Sequence, residues 1–391
     1  MIFKNRQLIF HNFATMKKVY LDNASTTAIR PEVIQEMTRV MTEDYGNASS
    51  PHSFGRNAKT ILELSRKSIA KQFNCSAQEI IFTSGGTEAN NWILRSAVKD
   101  LKVERIITTK IEHHAVLHTV LVLESEYNIQ VDYVNINPDG SIDLTHLSNL
   151  LSDEKKTLVS LMHVNNETGT VLDLERVSVI CKQYGVLFHS DTVQSVGKAK
   201  IDLQSELLDF IVASAHKFHG PKGIGFAFVR KNSGLQPLLF GGEQEKGLRA
   251  GTEAVHQIAG MAKALTLSYE NLEVEKEYVL GLKTYLINQL EKELSGFRIN
   301  GKQDDFYTIL NIILPFSADK TAMLLFNLDM RGIAVSRGSA CQSGSIRPSH
   351  VLKEMLSEDD LKLPNLRISL SHYNTKEDID WLIESLKLID N

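Results

Sequence analysis

Between residues 30 and 260, short runs rich in Val, Ile and Phe alternate with longer segments whose apolar residues recur every three to four positions. The short runs fall at 80–83, 105–109, 131–134, 158–163, 186–190, 209–214 and 225–229. Their length suits strands covered on both faces, and their alternation with helical periods predicts an α/β fold whose sheet is mostly parallel and seven-stranded. Among the helical segments, 31–42 begins with Pro31 in its first turn. Segment 54–73 carries an apolar stripe through Ile61, Leu62, Leu64 and Ile69, and 174–184 stops before Gly185.

After Glu253 the pattern changes to one long helical stretch, 255–294, expected to link two domains. Shorter strands at 309–314, 333–336 and 366–370, with two helices, predict a small α+β domain beyond it. The expected organisation is a large domain at 30–260 and a small domain built from 19–29 and 261–391. Residues 1–18 are expected to form a poorly ordered extension, or to precede a true start at Met16. Two domains also suit a chain of 391 residues, which exceeds a single compact core.

Composition removes several function classes. A net charge of -4 leaves no basic surplus to neutralise nucleic-acid phosphates. No apolar run is long enough to span a bilayer. Three widely spaced cysteines, an odd number, argue against a disulfide framework and for a reducing, cytoplasmic setting.

Candidate chemistry gathers where the predicted strands end. SAHKFHGPKGIG, residues 214–225, follows the apolar run DFIVA, and α/β sheets build their sites at such carboxyl ends. Lys217, set among Ala215, His216 and Phe218, is expected to be partly desolvated, which favours a neutral, nucleophilic amine. TSGGTEANNWILRSAV, residues 83–98, reads as strand, glycine turn and helix. Gly85 and Gly86 let a dianion approach the helix start, with Gly86 and Thr87 as contacts and Thr87 doubling as a cap. A bare turn explains the same glycines, and the stretch matches neither the dinucleotide fingerprint nor the P-loop. HSDTVQSVGK, residues 189–198, closes another strand with Asp191 and Gln194. A carboxylate there suits a protonated ring nitrogen, or equally a helix N-cap.

These segments resemble the class V, fold-type I aminotransferase superfamily and, within it, the NifS/IscS-type cysteine desulfurases. The resemblance runs in order through YLDNASTT, GNASSPHSFGR, FTSGGTEANN, TKIEHHAV, HVNNETG, HSDTVQSVGK, SAHKFHGPKGIG, GLRAGTEAVHQI, SRGSACQSGSIRPSHVL and LRISLS. It implies pyridoxal 5′-phosphate as cofactor and Lys217 as the residue that carries it. Gly86, Thr87, Ser214 and His216 are implied as phosphate contacts and Asp191 as the ring-nitrogen partner. His113 is implied to stack on the cofactor and exchange a proton, Asn166 and Gln194 to contact the ring or its substituents, and Arg367 to pair with the substrate carboxylate. Thr252 resembles the residue that reaches the neighbouring subunit's phosphate, which implies a homodimer. The substrate implied is L-cysteine and the product L-alanine, with the sulfur passed on to an acceptor such as an iron–sulfur scaffold protein.

Cys341 lies in SRGSACQSGSIRP, a run of small residues expected to expose its thiol, and Arg337 and Arg347 favour the thiolate. It is expected to carry the sulfur as a persulfide. Cys181, on the apolar face of its helix, and Cys75, before a strand, read as packing residues. The chain departs from the family pattern at GGEQEKG, where Glu243 and Gln244 stand. Other class V activities, an aminotransferase or a selenocysteine lyase, are the nearest alternatives, and a non-catalytic module on the same fold is a more distant one.

Overall fold

The computed structural model describes residues 17–338 and 349–390. They form two compact units. One comprises Thr26–Asn166 and Thr170–Val274; the other comprises the residues up to Ser25, Glu167–Gly169 and the chain from Glu275 onward. The first short strand, β1 (Val19–Tyr20), belongs to the second unit.

The larger unit contains, in chain order, α1 (Pro31–Glu43), α2 (Ser53–Gln72), β2 (Ile80–Thr83), α3 (Gly86–Lys99), β3 (Arg105–Thr108), α4 (His114–Tyr127), β4 (Gln130–Tyr133) and α5 (Leu144–Leu150). It continues with β5 (Thr157–Ser160), α6 (Leu174–Gln183), β6 (Leu187–Asp191), β7 (Phe210–Ser214), β8 (Gly225–Val229) and α7 (Val255–Glu270). Its strands make one seven-stranded sheet in the order β2-β8-β7-β6-β5-β3-β4. All pairings are parallel except those of β8, which runs antiparallel to both β2 and β7.

Successive residues of these strands face opposite sides, so each strand feeds two cores. Ile211 and Ala213 of β7 pack with Leu62 and Ile69 of α2, Val177 of α6 and Ile258 of α7. Phe210 and Val212 pack instead with Trp92 of α3 and Val116 and Val120 of α4. The sheet is therefore covered on both faces, which explains why its strands read as unbroken apolar runs. On α2 the buried positions include Ala58, Leu62, Arg66 and Ile69, and Leu64 is 59% exposed. The expected stripe is thus wrong at Leu64, which lies off the face set by the four-residue spacing.

The second unit contains α8 (Leu272–Glu293), within which the division between the units falls, then β9 (Arg298–Ile299), β10 (Ile309–Ile313), α9 (Leu324–Asp329) and β11 (Ile333–Ala334). It ends with α10 (His350–Lys353), α11 (Glu358–Lys362), β12 (Asn365–Ser369) and α12 (Lys376–Asp390). Strands β12, β10 and β9 form an antiparallel sheet, and β1 pairs in parallel with β11. Beyond α8 the described residues hold four α-helices, three of them short, where two were expected. The single long helix expected at 255–294 is two, α7 and α8. Asn271 ends the first by turning its side chain back onto the Leu267 carbonyl at 2.8 Å.

Candidate active site

The sheet register brings three chain turns to one edge. β2 and β7 are both antiparallel to β8, so they run the same way, and Gly225 of β8 faces Thr83 on one side and Ser214 on the other. Asp191, the last residue of β6, pairs with Val212 two residues before the end of β7. The glycine turn after β2, the lysine turn after β7 and Asp191 therefore sit together at the carboxyl edge of adjacent strands, where a parallel sheet opens a crevice. His113 follows β3 and Asn166 follows β5 on the same edge.

At the glycine turn α3 begins at Gly86, with Gly85 (φ +152°) as its N-cap. A Cβ on Gly85 would lie 3.4 Å from Ser214 Oγ, and one on Gly86 would lie 2.6 Å from Val193 Cγ2 and 3.9 Å from Ser214 Cβ. Both glycines thus keep the helix start close to Ser214 and the turn after β6. Thr87 is exposed and is the second helical residue. The expected capping role for Thr87 is corrected: Gly85 holds that position, and no side chain caps the helix.

Asp191 is buried and fixed at both carboxylate oxygens. Oδ2 accepts from Asn90 Nδ2 at 2.8 Å and Oδ1 from the amide of Val193 at 3.0 Å. It does not cap a helix, because Thr192–Gly197 forms turns. Gln194 and Asn166 are buried beside this edge, and Ser214 closes β7.

Lys217 ends a single 3-10 turn, Ala215–Lys217, and is half-buried. His216 in the same turn has Nδ1 3.1 Å from Thr26 Oγ1. Burial first, then the charges of Lys217, Lys222 and Lys198, pull its pKa down to about 4, so the ring is neutral at pH 7. His113 is the N-cap of α4, and its Nδ1 accepts the Ala115 amide at 3.1 Å, which leaves the neutral ring's proton on Nε2. Thr252 is exposed on the loop before α7.

Four features escaped the reading of the sequence. Asn90 orients Asp191. Lys198 is pulled down to about 7, by burial first and then by the charge of Lys217. Glu245 is buried at φ +45° and takes both guanidinium nitrogens of Arg66 at 2.7 Å together with the Phe82 amide at 2.7 Å. Arg249 holds Glu88 of α3 at 2.9 Å. Asn90, Lys198 and Arg249 lie inside the motif segments quoted above, and Glu245 lies inside GGEQEKG. Their placement there was the available signal.

Arg367 belongs to the second unit. It is buried on β12, and its Nη2 donates to Asp22 Oδ1 at 2.8 Å and to Ser25 Oγ at 2.7 Å. Arg337, half-buried, donates through Nη1 to the Thr321 carbonyl at 3.4 Å. Cys341 and Arg347 lie outside the described residues. Cys75 and Cys181 are free thiols, and burial pushes each up to about 12. Among the described residues no His, Cys, Asp and Glu cluster suits a metal ion, and no helix is long and apolar enough to cross a membrane.

Residues 19–382 match the family model described as aminotransferase class-V. The chain is 40% identical over 376 residues to a cysteine desulfurase IscS of Clostridium botulinum (strain Kyoto / Type A2), covering 95% of this chain and 94% of that one. It is also 40% identical over 369 residues to a putative cysteine desulfurase IscS 1 of Bacillus subtilis (strain 168), covering 93% and 96%. Among solved structures, a NifS-like protein superposes with a TM-score of 0.88 at 36% identity, covering 95% of this chain and 99% of that chain. A structure of SspA in complex with cysteine gives 0.80 at 30% identity, covering 92% and 100%.

Proposed function

We infer, from a chain that belongs to the class V aminotransferase family, that it is a cysteine desulfurase acting on L-cysteine. The observation that carries this reading is the meeting of a half-buried lysine, a glycine-opened helix start and a fixed carboxylate on one sheet edge.

The same residues fit pyridoxal 5′-phosphate. Gly86 lets the helix start lie against Val193 and Ser214, the first amides of α3 favour a dianion, and Ser214 with neutral His216 adds hydrogen-bonding groups beside them. Asp191, held by Asn90 and Val193, is preorganised to keep a ring nitrogen protonated. When bound, the cofactor supplies an aldehyde for covalent attachment and a ring that takes up the electron pair of the substrate carbon. Lys217 is the residue that carries it. As a free amine, Lys217 would take and return the Cα proton. His113 exchanges a proton through Nε2, Asn166 and Gln194 orient the ring and its substituents, and Thr87 adds a phosphate contact. Arg367 pairs with the substrate carboxylate through parallel hydrogen bonds.

Sulfur leaves on Cys341. Its thiolate attacks the substrate sulfur, an S–S bond forms and the C–S bond breaks, with the electron pair kept by the three-carbon fragment. That fragment takes up a proton, so L-cysteine and the thiol become L-alanine and a persulfide. A homodimer, with Thr252 reaching the partner subunit's phosphate, and an acceptor such as an iron–sulfur scaffold protein complete the reading. The free thiols Cys75 and Cys181 support a cytoplasmic setting.

The test is to incubate the protein with L-cysteine and a reductant, and to measure sulfide and alanine together in wild type, Lys217→Ala and Cys341→Ser. Wild type should release both in equal amounts. Lys217→Ala should lose the yellow absorption and all turnover. Cys341→Ser should keep the colour and lose sulfide. Undiminished sulfide from the serine variant would remove the persulfide step and favour another class V activity.

A further inference from the structure

A second buried carboxylate, unused by the reaction above, lies at the base of the segment that bears the sulfur-carrying cysteine. Glu167, the residue after Asn166, is fully buried and belongs to the second unit. Its carbonyl accepts from Asn311 Nδ2 of β10 at 3.0 Å, which fixes its backbone against that sheet. Its Oε2 accepts the hydroxyl of Ser349. A Cβ added to Gly338 would fall 2.8 Å from the same Oε2 and 3.4 Å from Ser349 Cβ. Oε1 lies 4.0 Å from His350 Nδ1. Gly338 and Ser349 are the described residues that flank 339–348, and both stand against one carboxylate.

Each stem is tied further into the unit. Ser349 caps α10, accepting from Val351 and Leu352 at 3.0 and 3.2 Å. Gly338 exchanges bonds with Ser336 Oγ at 3.3 and 2.9 Å, and Ser336 is bonded through its backbone to Arg367 of β12. A hydroxyl-to-carboxylate bond is about twice as strong as a neutral one. Burying a carboxylate is costly unless such bonds are made.

We propose that Glu167 is a positioning residue for sulfur transfer, holding both stems of 339–348 on one buried carboxylate and so fixing the points from which Cys341 reaches the substrate sulfur. The proposal rests on the reading of Cys341 as sulfur acceptor. Displacing a nucleophile by about 1 Å slows its attack up to a hundredfold. The assignment separates the roles of adjacent residues: Asn166 serves the cofactor and Glu167 the thiol.

The experiment uses full-length protein loaded with pyridoxal 5′-phosphate, as wild type, Glu167→Ala, Ser349→Ala and Ser349→Thr. Two quantities are followed after mixing with L-cysteine: the absorbance change of the cofactor, and the persulfide on Cys341, trapped by alkylation and weighed by mass spectrometry. Both alanine variants should form persulfide about tenfold to a hundredfold more slowly while the absorbance change stays within about twofold. Ser349→Thr, which keeps the hydroxyl, should restore the rate. Persulfide formation at the wild-type rate in both alanine variants overturns the proposal. Equal slowing of both quantities together with a lowered melting temperature also overturns it, since that is a structural role. Absence of any persulfide on Cys341 in wild type would instead remove the reading beneath it.

Discussion

Two buried carboxylates, Asp191 and Glu167, stand beside the residues assigned to the two halves of the reaction, and their surroundings differ. Asp191 ends a strand bonded on both sides and is gripped from α3 by Asn90 and from its own turn by Val193. Glu167 lies in a three-residue stretch of the second unit, where it accepts from Ser349 on one stem and lies against Gly338 on the other. A cofactor needs a fixed cradle, because its ring and phosphate must be held together through every step. A nucleophile carried on a loop needs fixed stems. The difference teaches that Asp191 is held within a strand paired on both sides, whereas the two stems come together at one side chain, that of Glu167.

The largest effect should come from breaking the rigid side of that comparison at its open edge. β2 is the edge strand of the large sheet, and Glu245 covers it by accepting the Phe82 amide while Arg66 donates to the Ile80 carbonyl at 2.8 Å. Glu245→Ala removes the buried partner of Arg66, leaving it the half-exposed Glu63 at 3.3 Å, and should cost about 3–5 kcal/mol in unfolding free energy, read by urea denaturation. The double variant Arg66→Met with Glu245→Met should recover much of that loss. A loss below about 1 kcal/mol in the single variant would mean that the edge is held by something other than this pair.

How much of this was legible in the sequence depends on what each feature is made of. The seven strands of the large sheet were legible because both faces are covered, which makes each a short unbroken apolar run, and the observed ends differ from the expected ones by three residues at most. The lysine, the glycine turn and Asp191 were legible because each ends such a run. Glu245 was not, since a left-handed glutamate has no local signature and its partner Arg66 lies 179 positions away. The break at Asn271 hides in a continuous helical pattern, because one polar side chain folding back onto the Leu267 carbonyl leaves no trace in periodicity. Glu167 was quoted within HVNNETG without a role. Its partners, Gly338 and Ser349, become neighbours only through the tertiary fold.

A smaller effect is expected where the cradle has no spare volume. Gly86→Ala must push Val193 aside and should cost about 1–3 kcal/mol. It should also weaken retention of pyridoxal 5′-phosphate, measured by dialysis and absorbance, while leaving alkylation of Cys341 in the cofactor-free protein unchanged. A matching loss of thiol reactivity would erase the separation between the two regions.

The smallest effect is a pH dependence seated in the wall behind the cradle. Glu112, the residue before His113, is 1% exposed, and its Oε1 accepts from the Met162 amide at 2.9 Å and from Thr109 Oγ1 at 3.1 Å. Burial raises its pKa to about 8. Nearby Asp191 pushes the same way, and the Met162 and Thr109 bonds oppose the rise. Between the usual carboxylate value of 4.5 and about 8, the native carboxyl keeps its proton while the unfolded chain releases it. The native state then binds more protons, so this group makes stability fall as pH rises through that window. Glu112→Gln keeps an acceptor for both bonds and removes the titration. Its stability relative to wild type should therefore improve by about 1 kcal/mol from pH 5.5 to pH 6.5, a melting-temperature gain of about 1 °C. Melting curves at the two pH values decide the matter. A difference independent of pH would mean that Glu112 is ionised in the folded protein, and the wall behind His113 would then be a charged one.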